Sequence, residues 1–254
     1  MESLLLKLEG QGRERPSKHR LELLTGKILS RNETVRQSFY FANGVIRSDR
    51  NLKLKIYPSL ATGIMVPVIM ILNMGVRDQG FETIGYEYLL LYFNFLVIPT
   101  VLELTMYSSA WKGSYVYFIS GFNSISELYR GVMQVVAVRL IVPMMIVNGV
   151  VFIAIFKERF IVDMAVLILA SISALPFLGK IYFTDLPFSI PIDESNQKGS
   201  LRKLFMSIGV VVCYAVLHAA SHKLPMGIWV YLGLLLVAVP IIWMFVIPEK
   251  AKNI

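Results

Sequence analysis

The sequence predicts an all-α, polytopic membrane protein with about six transmembrane helices and both termini in the cytoplasm. Hydrophobic residues make up 56% of the 254 residues and charged residues only 17%, whereas soluble domains usually have roughly 45–50% and about 25%. The shortage of charge leaves several uninterrupted apolar runs, and a run of about 18 residues is long enough to cross a bilayer as a helix. Runs of this length exclude the short alternating strands of a transmembrane barrel.

Six apolar runs define the predicted transmembrane domain, residues 56–247. The spans are expected at about 56–74, 86–106, 132–156, 160–182, 204–220 and 227–247. A polar loop at 183–203 and a short tail at 248–254 are both predicted to be cytoplasmic. The single cysteine, Cys213, cannot form a disulfide within the chain.

Basic residues set the predicted orientation. With the N-terminus inside, the cytoplasmic segments hold 20 Lys and Arg residues and the loops on the other side hold 4, while Arg139 lies within span 3. Cytoplasmic loops of membrane proteins carry an excess of Lys and Arg, so this count predicts that both termini are inside. The net charge of +8 is then explained by anionic membrane lipids, and no nucleic-acid partner is expected.

The first 55 residues are polar and hold 12 of the 25 basic residues. Residues 1–30 are predicted to be a basic cytoplasmic linker. Residues 31–55 are predicted to form an amphipathic helix at the membrane interface, because four apolar residues fall on one helical stripe. These residues are Val35, Phe39, Ala42 and Ile46. The alternative is an ordinary solvated helix.

The segment 107–131, between spans 2 and 3, is also amphipathic. Its apolar residues recur at steps of three and four, which is the spacing of one helix face. They are Tyr115, Phe118, Phe122, Ile125, Tyr129 and Val132. The first five are predicted to dock into a groove on a partner protein. The alternative is a helix that lies on the membrane surface without a partner.

Two ionisable residues fall within apolar spans, where a charge is costly and therefore indicates a role. Glu103 and Arg139 are predicted to form an ion pair between adjacent helices, with a role in transport as the alternative. Four mid-span polar residues either line a path or form bonds between helices. They are Asn94, Asn148, Ser171 and Ser173.

No catalytic, cofactor-binding or metal-binding residues are predicted. The nearest string to a nucleotide-binding loop, at 25–28, lacks the first glycine and the Ser or Thr that phosphate binding requires. His218 and His222 are four residues apart at the outer end of span 5, and such a pair could hold a metal. No third ligand of matching kind lies nearby in sequence, so both are interpreted as polar residues at a helix end.

Four stretches resemble the C-terminal half of the long bacterial permeases of type-2 ABC exporters. They are RSDRNLKLKIYPS at 47–59, SAWKGSYVY at 109–117 leading to LYRG at 128–131, DLPFS at 185–189 and KGSLR at 198–202. Family members resembling this chain are about twice its length. Many have a small residue followed by proline where this chain has Ser120, Gly121 and Phe122.

The resemblance implies a permease in a bacterial cytoplasmic membrane whose loop between spans 2 and 3 transmits the movement of a separate ABC ATPase subunit. It also implies a further partner, either an N-terminal permease half or a second permease chain. ATP hydrolysis is then expected on the partner, and this chain is not expected to be an enzyme. The alternatives are a non-transporting structural or binding membrane protein and, ranked last, an intramembrane enzyme.

Overall fold

Among the residues that the structure describes, six helical runs are long and apolar enough to cross a membrane, so the predicted multi-pass, all-α fold is confirmed. The computed structural model describes residues 26, 32–77, 85–115, 117, 125–196 and 200–247. Within them the spans are Arg50–Met74, Glu87–Leu104, Ile125–Phe156, Ile161–Tyr182, Leu201–Ser221 and Gly227–Phe245. Most of the predicted linker 1–30 and the whole of the predicted tail 248–254 lie outside the described residues.

Helix α1, Glu33–Ser48, contains the predicted amphipathic stripe. Asn32 caps it, with its side-chain oxygen accepting the Thr34 N–H at 3.0 Å. The stripe is buried against the first helix of span 3, Ile125–Val135, of the same chain. The predicted end at residue 55 is wrong, because the helix stops at Ser48 and a new helix, α2 (Arg50–Arg77), begins as span 1.

Span 2 changes its helical geometry along its length. It begins as α3 (Glu87–Leu90), continues as a 3₁₀-helix (Leu91–Leu96) and ends as α4 (Val97–Leu104). A 3₁₀ stretch inside a longer helix often marks a hinge or local strain.

Span 3 starts earlier than predicted. It consists of α5 (Ile125–Val135), a π-helical turn (Val136–Ile141) and α6 (Val142–Phe156). Gly131, expected to mark the end of the preceding segment, lies inside α5. A Cβ atom at this position would lie 2.5 Å from the Ser38 side chain and 2.8 Å from backbone atoms of α1. This glycine therefore allows the two helices to pack closely.

The remaining elements complete the bundle. A 3₁₀ turn (Lys157–Phe160) leads into α7 (Ile161–Tyr182), and α8 (Leu201–Ser221) and α9 (Gly227–Phe245) follow. Two short strands, β1 (Tyr107–Ser108) and β2 (Ile190–Pro191), pair in parallel after spans 2 and 4. Two 3₁₀ turns, Trp111–Tyr115 and Ile192–Asn196, lie beside these strands in sequence.

Spans 2 and 4 form the centre of the bundle and are mostly buried, whereas spans 1, 5 and 6 expose most of their residues. The exposed side chains of span 6 are large and apolar, including Val230, Leu234, Val237 and Ile241. Lipid-facing helix surfaces have this composition, since the bilayer core solvates only apolar groups.

Buried polar residues link the central spans. The Asn148 amide of span 3 donates to the Gly63 carbonyl of span 1 at 3.0 Å and to the Asn94 side chain of span 2 at 3.1 Å. Ser173 of span 4 lies 2.8 Å from the Tyr214 hydroxyl of span 5. These residues therefore form bonds between helices, one of the two roles that the sequence left open.

The bundle has two ends, which we call the α1 end and the distal end. The α1 end carries α1, β1 and β2. The distal end is the opposite one, where spans 2, 4 and 6 begin and spans 1, 3 and 5 end.

Candidate functional site

At the α1 end, Asp49 connects the start of span 1 to the segment after span 2. Its carboxylate accepts the Ser109 N–H at 2.7 Å and the hydroxyls of Ser108 and Ser109 at 3.0 Å each. It also accepts the backbone N–H groups of Asn51 and Leu52 at 3.1 Å each, which caps α2. Burial acts to raise the pKa of Asp49, but these hydrogen bonds outweigh it and hold the pKa below its ordinary value of 3.8.

A second group of bonds fixes the segment 185–189 after span 4. The Tyr117 hydroxyl donates to the Pro187 carbonyl and the Tyr129 hydroxyl to the Asp185 carbonyl, at 3.0 Å each. The Phe188 N–H donates to the Thr105 carbonyl at 2.9 Å. Burial raises the pKa of Tyr117, so its hydroxyl keeps its proton for this bond. We call the two groups of bonds, centred on Asp49 and on 185–189, the clamp.

A cleft of about 470 Å³ lies between α1 and the clamp. Its lining includes Phe41, Asp49, Ser109, Gly113 and Phe188. The neighbouring residues Trp111 and Lys112 are exposed. The α1 end thus combines the hydrogen-bonded clamp with an open cleft.

The predicted partner-docking residues have different environments. Tyr115 lies in a 3₁₀ turn, and Phe118 and Phe122 lie outside the described residues. Ile125 is half-buried and packs against Leu128, whereas Tyr129 is fully buried and stacks on Phe183 with ring centroids 4.5 Å apart. Tyr129 therefore positions the segment from inside, because its side chain is not accessible to a partner.

The structure does not bring the predicted ion pair together. The Arg139 guanidinium, in the π-helical turn of span 3, donates to the Asn43 side chain of α1. Among the ion pairs of the described residues, none joins Glu103 to Arg139. Glu103 instead lies near Tyr107, whose pKa is raised first by burial and then by the charges of Glu103 and Asp185. Arg139 thus anchors α1 to span 3.

The distal end brings together three side chains from two spans. Asp163 Oδ1, in the first turn of α7, lies 3.1 Å from His218 Nε2 and 2.8 Å from His222 Nε2. The ligand atoms of these residues lie within 4.8 Å of one another and could hold a metal ion. We call them the Asp-His-His cluster.

Two tyrosines of span 2 enclose this cluster. Tyr88 stacks on His222 with ring centroids 4.4 Å apart and an interplanar angle of 19°. The Tyr92 hydroxyl lies 3.2 Å from His218 Nδ1 and donates to the Tyr214 carbonyl at 3.2 Å. The imidazole of His218 is fully buried, whereas 36% of the His222 side chain is exposed. The cluster therefore lies under an aromatic cover with one exposed side.

Sequence reasoning found the two histidines but missed Asp163, the third ligand. The two spans that carry the cluster are separated by a long polar loop, so sequence distance hides the contact. One signal was present: Asp163 lies in the first turn of an apolar span, and the histidines lie in or just after the last turn of the next span. Consecutive antiparallel spans place such positions at the same membrane depth.

Comparison of this chain with known protein families, with curated protein sequences and with solved structures gives no significant match.

Proposed function

We propose that this chain is the membrane-spanning permease subunit of an ATP-driven exporter in a bacterial cytoplasmic membrane. A separate ABC ATPase subunit binds the α1 end on its cytoplasmic side. ATP binding and hydrolysis on that partner move the segment 107–131, and the movement changes the packing of the spans.

The observation that supports this proposal most strongly is the clamp. Three of the four stretches that resemble exporter permeases lie far apart in sequence, yet they contribute its bonds. Asp49 comes from the first stretch, Ser109 and Tyr117 from the second, and Pro187 from the third. The resemblance therefore coincides with a three-dimensional contact, which supports the family assignment beyond the separate motifs.

The clamp also provides a physical route for coupling. Its residues lie at the start of span 1, after span 2, at the start of span 3 and after span 4. Displacement of 107–131 therefore acts on four spans at once. Packed interfaces convert small displacements into shifts between discrete arrangements, since close-packed helices do not deform continuously.

The charge distribution supports the orientation that this function requires. With the N-terminus inside, the sequence assigns twenty basic residues to cytoplasmic segments and four to the loops on the other side. This bias favours a cytoplasmic α1 end, where an ATPase could reach it. The exposed apolar faces of spans 1, 5 and 6 are then available to lipid, to an N-terminal permease half or to a second permease chain.

Affinity purification of the tagged full chain from its native membranes, in mild detergent with mass spectrometry, tests the proposal. We expect to recover an ABC ATPase. Trp111→Ala should reduce its recovery several-fold, because Trp111 is an exposed aromatic side chain beside the clamp, and such side chains often anchor interfaces.

Trp229→Ala is the matched control, since Trp229 is an exposed tryptophan at the distal end. Its ATPase recovery should equal that of the wild type. Recovery of membrane proteins without an ATPase would contradict the exporter assignment and favour a structural membrane protein. Equal ATPase recovery with both variants would contradict docking at Trp111.

A further inference from the structure

We infer that Asp163, His218 and His222 bind a divalent transition-metal ion of the zinc class at the distal end. The inference rests on the geometry of the Asp-His-His cluster and does not depend on the proposed transport function.

His218 lies between a tyrosine hydroxyl and a carboxylate. The Tyr92 hydroxyl has one proton, and its bond to the Tyr214 carbonyl uses it. The Nδ1 atom of His218 lies 3.2 Å from the same hydroxyl, and in the tautomer that satisfies both contacts it carries a hydrogen and donates it. With Nδ1 protonated, a neutral His218 has a bare Nε2 lone pair.

That lone pair points at a carboxylate. Nε2 of His218 lies 3.1 Å from Asp163 Oδ1, so in this tautomer a nitrogen and an oxygen lone pair converge on one point, as they do around a bound metal ion. A metal ion bound to Nε2 leaves the imidazole neutral and places the hydrogen on Nδ1.

Both histidines converge on one oxygen of Asp163. Nε2 of His222 approaches the same Asp163 Oδ1 at 2.8 Å. Histidines four residues apart on a helix present both rings to one point. In a tetrahedral zinc site neighbouring ligand atoms are roughly 3.3 Å apart, as follows from bond lengths of about 2.0–2.2 Å. The two distances from Asp163 Oδ1 to the histidine nitrogens lie within about 0.5 Å of this value.

The ligand set selects the class of metal. Two imidazoles and one carboxylate suit zinc and neighbouring transition metals, whereas Mg²⁺ and Ca²⁺ prefer sites built from oxygen ligands. The bond between His218 Nδ1 and the Tyr92 hydroxyl is the kind of second contact that orients a metal-binding imidazole. No Lys or Arg of the described residues forms an ion pair with Asp163, so its charge is available to a cation.

Three protein ligands leave a fourth position open. His222 is partly exposed, which gives this position access to water at the distal end. Tyr231 packs near His218, with ring centroids 5.9 Å apart, and its buried hydroxyl has no protein partner within the part of the chain that the structure describes. It offers a hydrogen-bonding group beside the site.

A bound ion would join span 4 to span 5, and Tyr88 and Tyr92 would connect it to span 2. An ion that binds only the folded chain stabilises it by mass action. Zinc is therefore expected to raise the temperature of unfolding in proportion to the logarithm of its free concentration.

The test uses the purified full chain in detergent, stripped of metal with a chelator and titrated with zinc chloride against a competing indicator. We expect one zinc ion per chain and a raised unfolding temperature. His222→Ala and Asp163→Asn should each weaken binding by at least about tenfold. Glu158→Gln, which changes an exposed acidic residue of the same end, should bind zinc as the wild type does.

His222→Cys separates ligand loss from misfolding, because a thiolate also binds zinc. This variant should retain zinc and gain affinity for cadmium relative to the wild type. Zinc binding that is unaffected by the Asp163 and His222 variants would overturn the proposal. So would absence of zinc binding by a folded wild-type chain, which would identify the cluster as hydrogen bonds between the two histidines and Asp163 without a metal ion.

Discussion

At the residue scale, two aspartates near the ends of apolar helices have different environments. Asp49 receives its hydrogen bonds from backbone N–H groups and serine hydroxyls, which stay neutral at any relevant pH. Asp163 faces two histidines, which bind protons or metal ions. Asp49 is therefore a structural residue of the clamp, and Asp163 belongs to a cation site.

Asp49→Ala should destabilise the chain at neutral pH. Loss of the cap of α2 alone costs about 1 kcal/mol, and the bonds to Ser108 and Ser109 are lost as well. The folded-state pKa of Asp49 lies below its ordinary value of 3.8, so its contribution to stability is present above that value. The contribution disappears as the pH falls through the folded-state pKa.

Thermal unfolding of the wild-type chain and of Asp49→Ala, between neutral and strongly acidic pH, measures the contribution of Asp49 to stability. The difference in unfolding temperature should narrow as the pH drops below about 4. Glu194→Ala, which removes an exposed carboxylate at the same end, should show a much smaller difference throughout. If the difference in unfolding temperature between Asp49→Ala and the wild type does not depend on pH, the charge of Asp49 does not stabilise the clamp.

At the element scale, α1 is held to span 3 by a glycine and by an arginine. Gly131 lets the α1 backbone approach α5. Arg139, eight residues further along and within the π-helical turn, donates to Asn43 on the same buried face of α1. A π-helical turn shifts the following side chains around the helix axis and is often found at functional sites.

Gly131→Ala should loosen α1 without unfolding the spans. The added methyl group would overlap the Ser38 side chain and the backbone of α1, and overpacking of this kind typically costs about 1–3 kcal/mol. Limited trypsin digestion in detergent should then cut α1 faster at Arg36 and Arg47. Gly209→Ala is the control, because nothing lies within 4 Å of the Cβ position there. Equal rates of trypsin cleavage in α1 for Gly131→Ala and Gly209→Ala would contradict the close packing of α1.

The sequence predicted each of the six spans, because hydropathy over about 20 residues is a local property of the chain. It did not predict the end of α1 at Ser48, which depends on Asp49 capping α2. It placed Tyr129 on a stripe that faces a partner, but that residue is buried within the chain. The prediction was wrong because the spacing of apolar residues identifies a helix face and does not show which element packs against it. Asp163 was missed because its partners come from another span.

At the scale of the whole molecule, the two ends differ in chemistry. The α1 end has the clamp, an open cleft and exposed Trp111, whereas the distal end has the Asp-His-His cluster under tyrosines. Spans 2 and 4 connect the two ends through the buried centre. The central claim of the proposed function is that the α1 end faces the cytoplasm, where an ATPase can bind it.

Cysteine labelling in intact cells tests this claim most directly. With Cys213 replaced by serine, Lys112→Cys and Lys223→Cys place single thiols at exposed positions of the α1 end and the distal end. A membrane-impermeant maleimide should label Lys223→Cys in intact cells and Lys112→Cys only after the membrane is opened. Labelling of Lys112→Cys in intact cells, with Lys223→Cys protected, would contradict a cytoplasmic α1 end and with it the docking of an ATPase there.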